Sequence, residues 1–489
     1  MAGRGRGDGR RRGRRGALGL LVTALLLTGA GGYGVADVQG LVPGVLTDHP
    51  VPQAYPTLGN APGAREPRPL PAAAAASLDE TAPAPDPAVL AQVLAPLLGD
   101  PRLGPAPGAS VVDARTGASL LDVGASGARE PASVAKLLTG AAALRRLGPA
   151  ATVSTSVVSV PGSQELHLLA GGDVLLAAGA GDPDSANGHA GLGDLAAQTA
   201  QALAATGRTS VTLRLDDSVL GGLGWGQAIG PGVEPADVSS GFVAPVTGLA
   251  VNAGRTTQEN YAPRHGDPGL SAAQTFVGAL GTHGITVQGA PARGLAPQGA
   301  AELASVRSAP LEEVVAYVLA ASDNNGAEAM ARLVAVDAGV GVDFASSGAA
   351  VLAEVAGLGV PTAGLVLADG SGLSDGSLLS PLVLTGVLAA AASDQHPELR
   401  PLLTGMPVAG LDGTLADRFG SAAGAGAGQG VVRAKTGSLS GTGSLAGTVV
   451  DADGRLLAFA VLADQVPSSL PAREVLDQVA TTLAGCGCR

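Results

Sequence analysis

The sequence predicts an α/β chain of the α+β kind: a five-stranded antiparallel sheet flanked by helices, with an inserted domain or domains. Three observations predict it. Residues 109–113 and 118–122 flank the turn Ala114-Arg115-Thr116-Gly117 as a β-hairpin. Near the other end, residues 431–438, 444–450 and 456–462, with the turn Asp451-Ala452-Asp453-Gly454, form a three-stranded antiparallel meander that completes a sheet of five. Between them, from Thr152 to about Ala300, the pattern changes to short strands and single helices, which reads as inserted material.

The elements follow in order. The basic run Arg10-Arg11-Arg12-Gly13-Arg14-Arg15 leads into apolar residues 17–30 and the small residues Gly34-Val35-Ala36. This is the layout of a secretory signal, or of a membrane anchor that is never cleaved, over residues 1–36. The arginine pairs also admit a twin-arginine route, and every version places the body outside the cytoplasm, with membrane contact only through this segment. Residues 37–87 are rich in Pro and Ala and read as an extended spacer. The main domain then takes residues 88–151 and 301–489, interrupted by the insert over 152–300.

Within the main domain, a helix is expected at 88–98, then the hairpin, then a helix that carries Ser133 and stops at Gly148. The insert is expected to hold strands at 153–160, 165–169, 173–177 and 211–215, and a helix near 192–205. A glycine-rich stretch around Trp225 and a helix and strand over 273–287 complete it. A long helix over 310–336 is interrupted by the polar cluster Ala321-Ser322-Asp323-Asn324-Asn325, which suggests a break but, taken alone, reads as a solvated helix face. A strand at 364–368, the loop Asp369-Gly370-Ser371-Gly372-Leu373-Ser374, helices from about 380 and a closing helix at 471–483 finish the chain.

Composition narrows the function. The chain is acidic, with a formal net charge of −12, and the first 36 residues hold seven arginines and one aspartate, so the body is more acidic than the whole. An acidic body with only 2% aromatic residues argues against nucleic acid as a partner. The six histidines include no pair at ligand spacing, so neither a metal nor another cofactor is expected. Cys486 and Cys488 have one residue between them, which would strain a bridge, and two thiols alone make a poor metal site.

Lysine is used only twice, at Lys136 and Lys435, in a chain that otherwise spends arginine for positive charge. A guanidinium stays protonated at neutral pH, whereas a buried or crowded lysine can lose its proton. Lys136 follows Ser133 by three residues, which places the two on one helix face, and Lys435 opens Lys435-Thr436-Gly437-Ser438 on a strand. Between them stands Ser322-Asp323-Asn324. Each motif is common by itself, and their joint order is what carries information.

The set Ser-x-x-Lys, Ser-x-Asn and Lys-Thr-Gly resembles that of the serine penicillin-recognising enzymes. Within them the sequence looks most like the low-molecular-mass class C penicillin-binding proteins, D-alanyl-D-alanine carboxypeptidases and endopeptidases, whose extra domains lie between the first two motifs. Asp412-Gly413-Thr414-Leu415 and the 369–374 loop also look like that branch. The resemblance implies a β-lactamase/transpeptidase-like fold, peptidoglycan stem peptides as substrate and β-lactams as inhibitors; the oligomeric state stays open. It implies Ser133 as nucleophile, Lys136 as neutral base and Ser322, with Lys435, as proton carrier. It implies Asn324 on the peptide amide, Lys435, Thr436 and Ser438 on the terminal carboxylate, and Gly437 within the same binding strand. Backbone N–H groups of Ser133 and Ser438 would form the oxyanion hole. Lys136 is expected to be kept neutral by desolvation and by the nearby ammonium of Lys435, which is expected to stay charged.

Other readings compete. A class A β-lactamase would have a shorter first interval and a Glu-x-x-Leu-Asn loop, which the sequence lacks. An α/β-hydrolase would use Gly372-Leu373-Ser374-Asp375-Gly376 as a nucleophile elbow, but the only later histidine, His396, follows too closely. A non-catalytic penicillin or cell-wall binder is countered by the intact Ser133 and Lys136.

Overall fold

The computed structural model describes residues 81–221, 230–420 and 426–489. The expected signal or anchor, most of the spacer and Trp225 lie outside the described residues. No helix among the described residues is long and apolar enough to cross a membrane.

Helix α1 (Pro87–Leu98) starts at Asp86, whose carboxylate accepts from the N–H groups of Ala88 and Val89, and Pro87 fits the first turn because its missing N–H would have no helical partner. Strands β1 (Gly108–Asp113) and β2 (Ser119–Val123) form the expected hairpin. The segment after them is a short 3₁₀ turn, Ala132–Ala135, that runs directly into α2 (Lys136–Leu147), which ends at Gly148 in a left-handed conformation.

The intervening segment builds a separate core. Its strands are β3 (Ser154–Ser159), β4 (Glu165–Leu169), β5 (Asp173–Leu176), β6 (Ser210–Asp216), β7 (Leu249–Val251), β8 (Thr286–Val287), β9 (Ala292–Arg293) and β10 (Ala301–Arg307), with helices α3 (Leu192–Ala204) and α4 (Pro268–Thr282). The main sheet runs β10-β3-β4-β6-β8, with β9 also on β6, and β5 pairs with β7 separately. Val157, Leu166, Leu168, Leu213 and Leu215 pack against Leu195, Leu203, Phe276 and Leu280 of the two helices.

After β10 come α5 (Leu311–Ala321), α6 (Asn324–Ala338), α7 (Phe344–Ala356) and α8 (Pro381–Ala392). The helix expected over 310–336 is thus two helices, broken where Ser322 takes a left-handed φ of 54°. The strand expected at 364–368 is reduced to one bridge, Val366 to Leu378. Residues 362–365 turn instead, and Gly364 at φ 77° bends the backbone out of any extended run. Strands β11 (Arg433–Leu439), β12 (Thr442–Val450) and β13 (Leu456–Asp464) and helix α9 (Ser469–Gly485) close the chain. The cysteine sulfurs of Cys486 and Cys488 are paired across Gly487.

The five strands form one antiparallel sheet in the order β11-β12-β13-β1-β2. Both of its faces are buried, and the alternation of side chains sorts residues to the two sides. Val112, Ala446, Ala458, Ala460 and Leu462 face α2, α5, α6 and α8. Val111, Leu445, Leu457, Phe459 and Val461 face α1 and α9. The alanines matter here, because short side chains on β12 and β13 let α8 lie close to the sheet. This three-layer arrangement sets the Ala132–Ala135 turn at the head of α2 against the edge strand β11, which brings the charges of the two lysines within reach of each other.

Candidate active site

Ser133 sits in the 3₁₀ turn, not in the helix itself, and is half buried. Ala132 before it has a φ of 50°, unusual for a residue with a Cβ. Two glycines hold that strained turn. A Cβ on Gly372 would lie 2.1 Å from the carbonyl oxygen of Ala132, and one on Gly437 would lie 2.7 Å from that of Pro131 and 2.0 Å from Ser444 Oγ. Gly437 therefore lets β11 press against the backbone of the serine turn. Ser444 Oγ also donates to Pro131 O, at 2.6 Å, tying β12 to the same point.

Lys136 is fully buried at the start of α2. Its Nζ donates to Ser133 Oγ at 2.9 Å, to Asn324 Oδ1 at 2.6 Å and to the carbonyl of Ser371 at 2.8 Å. Burial pushes its pKa down to about 8, while the carboxylates of Asp369, Glu328 and Asp323 pull it back up. Of the two causes expected to act on Lys136, burial leads, and the repulsion between the two ammonium groups shows as a lowering of Lys435.

The Lys435 side chain is fully buried on β11, with Nζ donating to the Thr436 carbonyl at 2.8 Å. Burial, then the charges of Lys136 and Arg418, hold its pKa well below the ordinary lysine value. Thr436 Oγ1 donates to Thr414 Oγ1 at 3.0 Å, and Ser438 is exposed on the same strand.

The polar cluster at the helix break is not a solvated face. Asp323 is buried, caps α6 by accepting from Gly326 N at 2.7 Å, and accepts from Arg255 Nη2 at 2.7 Å, with Arg264 Nη2 at 3.7 Å. Asn324 Nδ2 donates to Phe242 O at 2.9 Å, and Asn325 exchanges two hydrogen bonds of 2.8 Å with the backbone of Ala244. All three residues are thus bonded to the 242–264 segment of the intervening chain. Ser322 Oγ, among the described residues, has no hydrogen-bond partner, and Ser322 lines the cavity.

The 369–374 loop is held by Asp369, which accepts from the N–H groups of Ser371, Gly372 and Ser374. Glu328 accepts from Gly370 N at 3.1 Å, and burial followed by the Asp369 charge pushes its pKa up to about 8. Together these acids fix the Ser371 carbonyl against Lys136. Sequence reasoning flagged the loop but missed Glu328, whose signal was an acid four residues after Asn324 in an otherwise small and apolar stretch. Ser374 is buried with no hydrogen-bond partner for its hydroxyl, and His396 pairs with Glu398 at 3.1 Å, so the alternative nucleophile elbow has neither access nor base.

Ser133, Ser322, Asn324, Thr436 and Ser438 line one cavity of about 920 Å³, which also reaches Phe242 and Tyr261. Its chemistry is that of acyl transfer: a hydroxyl with an amine in hydrogen-bond contact and further hydroxyl and amide groups around it. Among the described residues no group of His, Cys, Asp and Glu is arranged to hold a metal.

The D-Ala-D-Ala carboxypeptidase 3 (S13) family model matches residues 90–270 and 264–485. The chain is 37% identical over 414 residues to carboxypeptidase DacB of Mycolicibacterium smegmatis, covering 84% of this chain and 87% of that protein. It is 35% identical over 441 residues to carboxypeptidase Rv3627c of Mycobacterium tuberculosis, covering 88% and 92%. Among solved structures, penicillin binding protein 4 (dacB) from Haemophilus influenzae shares the fold with a TM-score of 0.64 at 22% identity, over 80% of this chain and 97% of that one.

Truncating Arg255 to alanine leaves the Asp323 carboxylate buried with only Arg264 at a distance. Urea denaturation is expected to show a loss of about 3–5 kcal/mol, against at most about 1 kcal/mol for alanine at the exposed Arg400, whose pair with Asp394 is open to solvent.

Proposed function

The chain belongs to the D-Ala-D-Ala carboxypeptidase 3 (S13) family and is a serine-type D-Ala-D-Ala peptidase, and we propose that it works through an acyl-enzyme on Ser133. Ser133 Oγ attacks the carbonyl of the penultimate D-Ala of a peptidoglycan stem peptide as Lys136 takes its proton. Backbone N–H groups of Ser133 and Ser438 receive the developing oxyanion. The proton travels by way of Ser322 to the leaving amine of the terminal D-Ala, and water then releases the shortened peptide. Asn324 orients the peptide amide, and Thr436 and Ser438 face the terminal carboxylate. The single observation that carries this reading is the 2.9 Å contact between the Lys136 amine, its pKa lowered to about 8, and the Ser133 hydroxyl. β-Lactams, which present a reactive amide of the same shape, acylate the same serine. The same chemistry serves an endopeptidase when the leaving amine belongs to a cross-linked neighbour.

The enzyme acts outside the cytoplasm. Residues 1–36 deliver it there as a signal or anchor, and residues 37–87 act as a spacer. We assign residues 88–151 and 301–489 to the peptidase domain and 152–300 to the insert; the bonds from residues 242–264 to Asp323, Asn324 and Asn325 make that insert a wall of the site.

Incubation with a fluorescent penicillin should label the wild type and leave Ser133→Ala unlabelled; no label on the wild type, or equal label on both, sinks the mechanism. The reactive form of Lys136 is the free amine, so acylation at subsaturating penicillin should rise about tenfold per pH unit below pH 8 and level off above it. A rate that is flat from pH 6 to 9 would contradict Lys136 as the base. Lys136→Arg should abolish acylation, because a guanidinium does not give up its proton.

A further inference from the structure

A carboxypeptidase must recognise a free terminal carboxylate, and the groups expected to do so are compromised in this site. Lys435 is buried, bonded to the Thr436 carbonyl, and held below the ordinary lysine pKa by its surroundings. The Thr436 hydroxyl donates to Thr414. A guanidinium, which keeps its charge despite burial, is the alternative cation to look for along the cavity.

Two further arginines line the same cavity as Ser438 and Ser440: Arg418 and, on the first turns of α9, Arg473. Arg418 is nine-tenths buried and is clamped by Asp477, with Nε 3.2 Å from Oδ2 and Nη2 on Oδ1. Its charge is balanced. Arg473 has no ion pair among the described residues, and its Nε is buried without a hydrogen-bond partner. Its backbone carbonyl accepts from Arg418 Nη2 at 3.4 Å. Two guanidinium groups against one carboxylate leave one uncompensated positive charge on this wall. The other cavity arginines, Arg255 and Arg264, are turned to Asp323 and to backbone carbonyls.

We infer that Arg473, held beside the Arg418–Asp477 pair, is the cation that recognises the free C-terminal carboxylate of the substrate. A guanidinium keeps its charge at any pH the enzyme meets, and its planar fork matches a carboxylate through two parallel hydrogen bonds. Thr436 and Ser438 then supply neutral contacts, and Lys435 is released from the role of sole anchor. The inference rests on the peptidase reading above and names the determinant that favours peptide ends over internal bonds.

The test compares wild type, Arg473→Gln and Arg473→Lys on an acyl-peptide ending in D-Ala-D-Ala. Binding of phenylboronic acid, which adds to a nucleophilic serine and has no carboxylate, serves as the control. Arg473→Gln should lower kcat/KM about ten- to a hundredfold, mostly through KM, the scale of one charge-assisted hydrogen-bonded contact. Phenylboronic acid affinity should not change, and Arg473→Lys, which keeps the charge but not the fork, should recover only part of the loss. Unchanged peptide hydrolysis in Arg473→Gln, or an equal fall in peptide hydrolysis and boronic acid binding, overturns the assignment while leaving the Ser133 mechanism standing. A wild type that binds the boronic acid but cleaves no peptide overturns the peptidase reading and this assignment with it.

Discussion

The burial of one ammonium group organises this site. Lys136 enters the interior at the first residue of α2 and holds its Nζ within hydrogen-bond distance of Ser133 Oγ, Asn324 Oδ1 and the Ser371 carbonyl. Taking a cation out of water favours its neutral form, and a neutral amine is the form that can accept a proton from Ser133. Full burial alone would carry the pKa further. The acids Asp369, Glu328 and Asp323 oppose it, and the balance rests at about 8, close to the working pH that suits a general base. Each of those acids also shapes the structure around the lysine. Asp369 orders the loop behind Lys136, Glu328 ties α6 to that loop, and Asp323 caps α6.

The fold delivers the required closeness through small residues. Gly437 on β11 and Gly372 in the 369–374 loop approach the Pro131–Ala132 backbone from two sides, at distances that no Cβ would allow. They brace the strained turn at Ala132 and so fix the direction of Ser133. Alanines on β12 and β13 bring the helical layer close to the sheet in the same way. A chain rich in Gly and Ala, which looks from composition alone like a bias, uses that bias where backbone must meet backbone.

Much of this was legible in the sequence. The hairpin and the meander define the five-stranded sheet because alternation and turn residues are local signals, and the joint order of three short motifs picks out the residues that line the cavity. What the sequence hid is what depends on surroundings. Lys435 reads as a charged anchor, yet its environment holds it toward the neutral form, because burial is not written in the Lys-Thr-Gly motif. The polar cluster after Ala321 reads as a solvated face, and its partners Arg255, Arg264, Phe242 and Ala244 lie some 60 to 80 residues earlier. The strand at 364–368 fails because Gly364 turns the chain. In each case a long-range partner or a backbone angle decided the outcome over the local pattern.

The central claim, that burial holds Lys136 near neutrality, is open to direct measurement because the chain contains only two lysines. Protein labelled with ¹³C at the lysine ε-carbon should give two resonances, and Lys435→Arg would assign them. The account predicts that the Lys136 resonance titrates at about pH 8 in the folded protein and moves to the ordinary lysine value on unfolding. A Lys136 resonance that titrates near pH 10.5 in the folded enzyme would mean that the group is a charged ammonium at working pH, and the account of the site would fail with it.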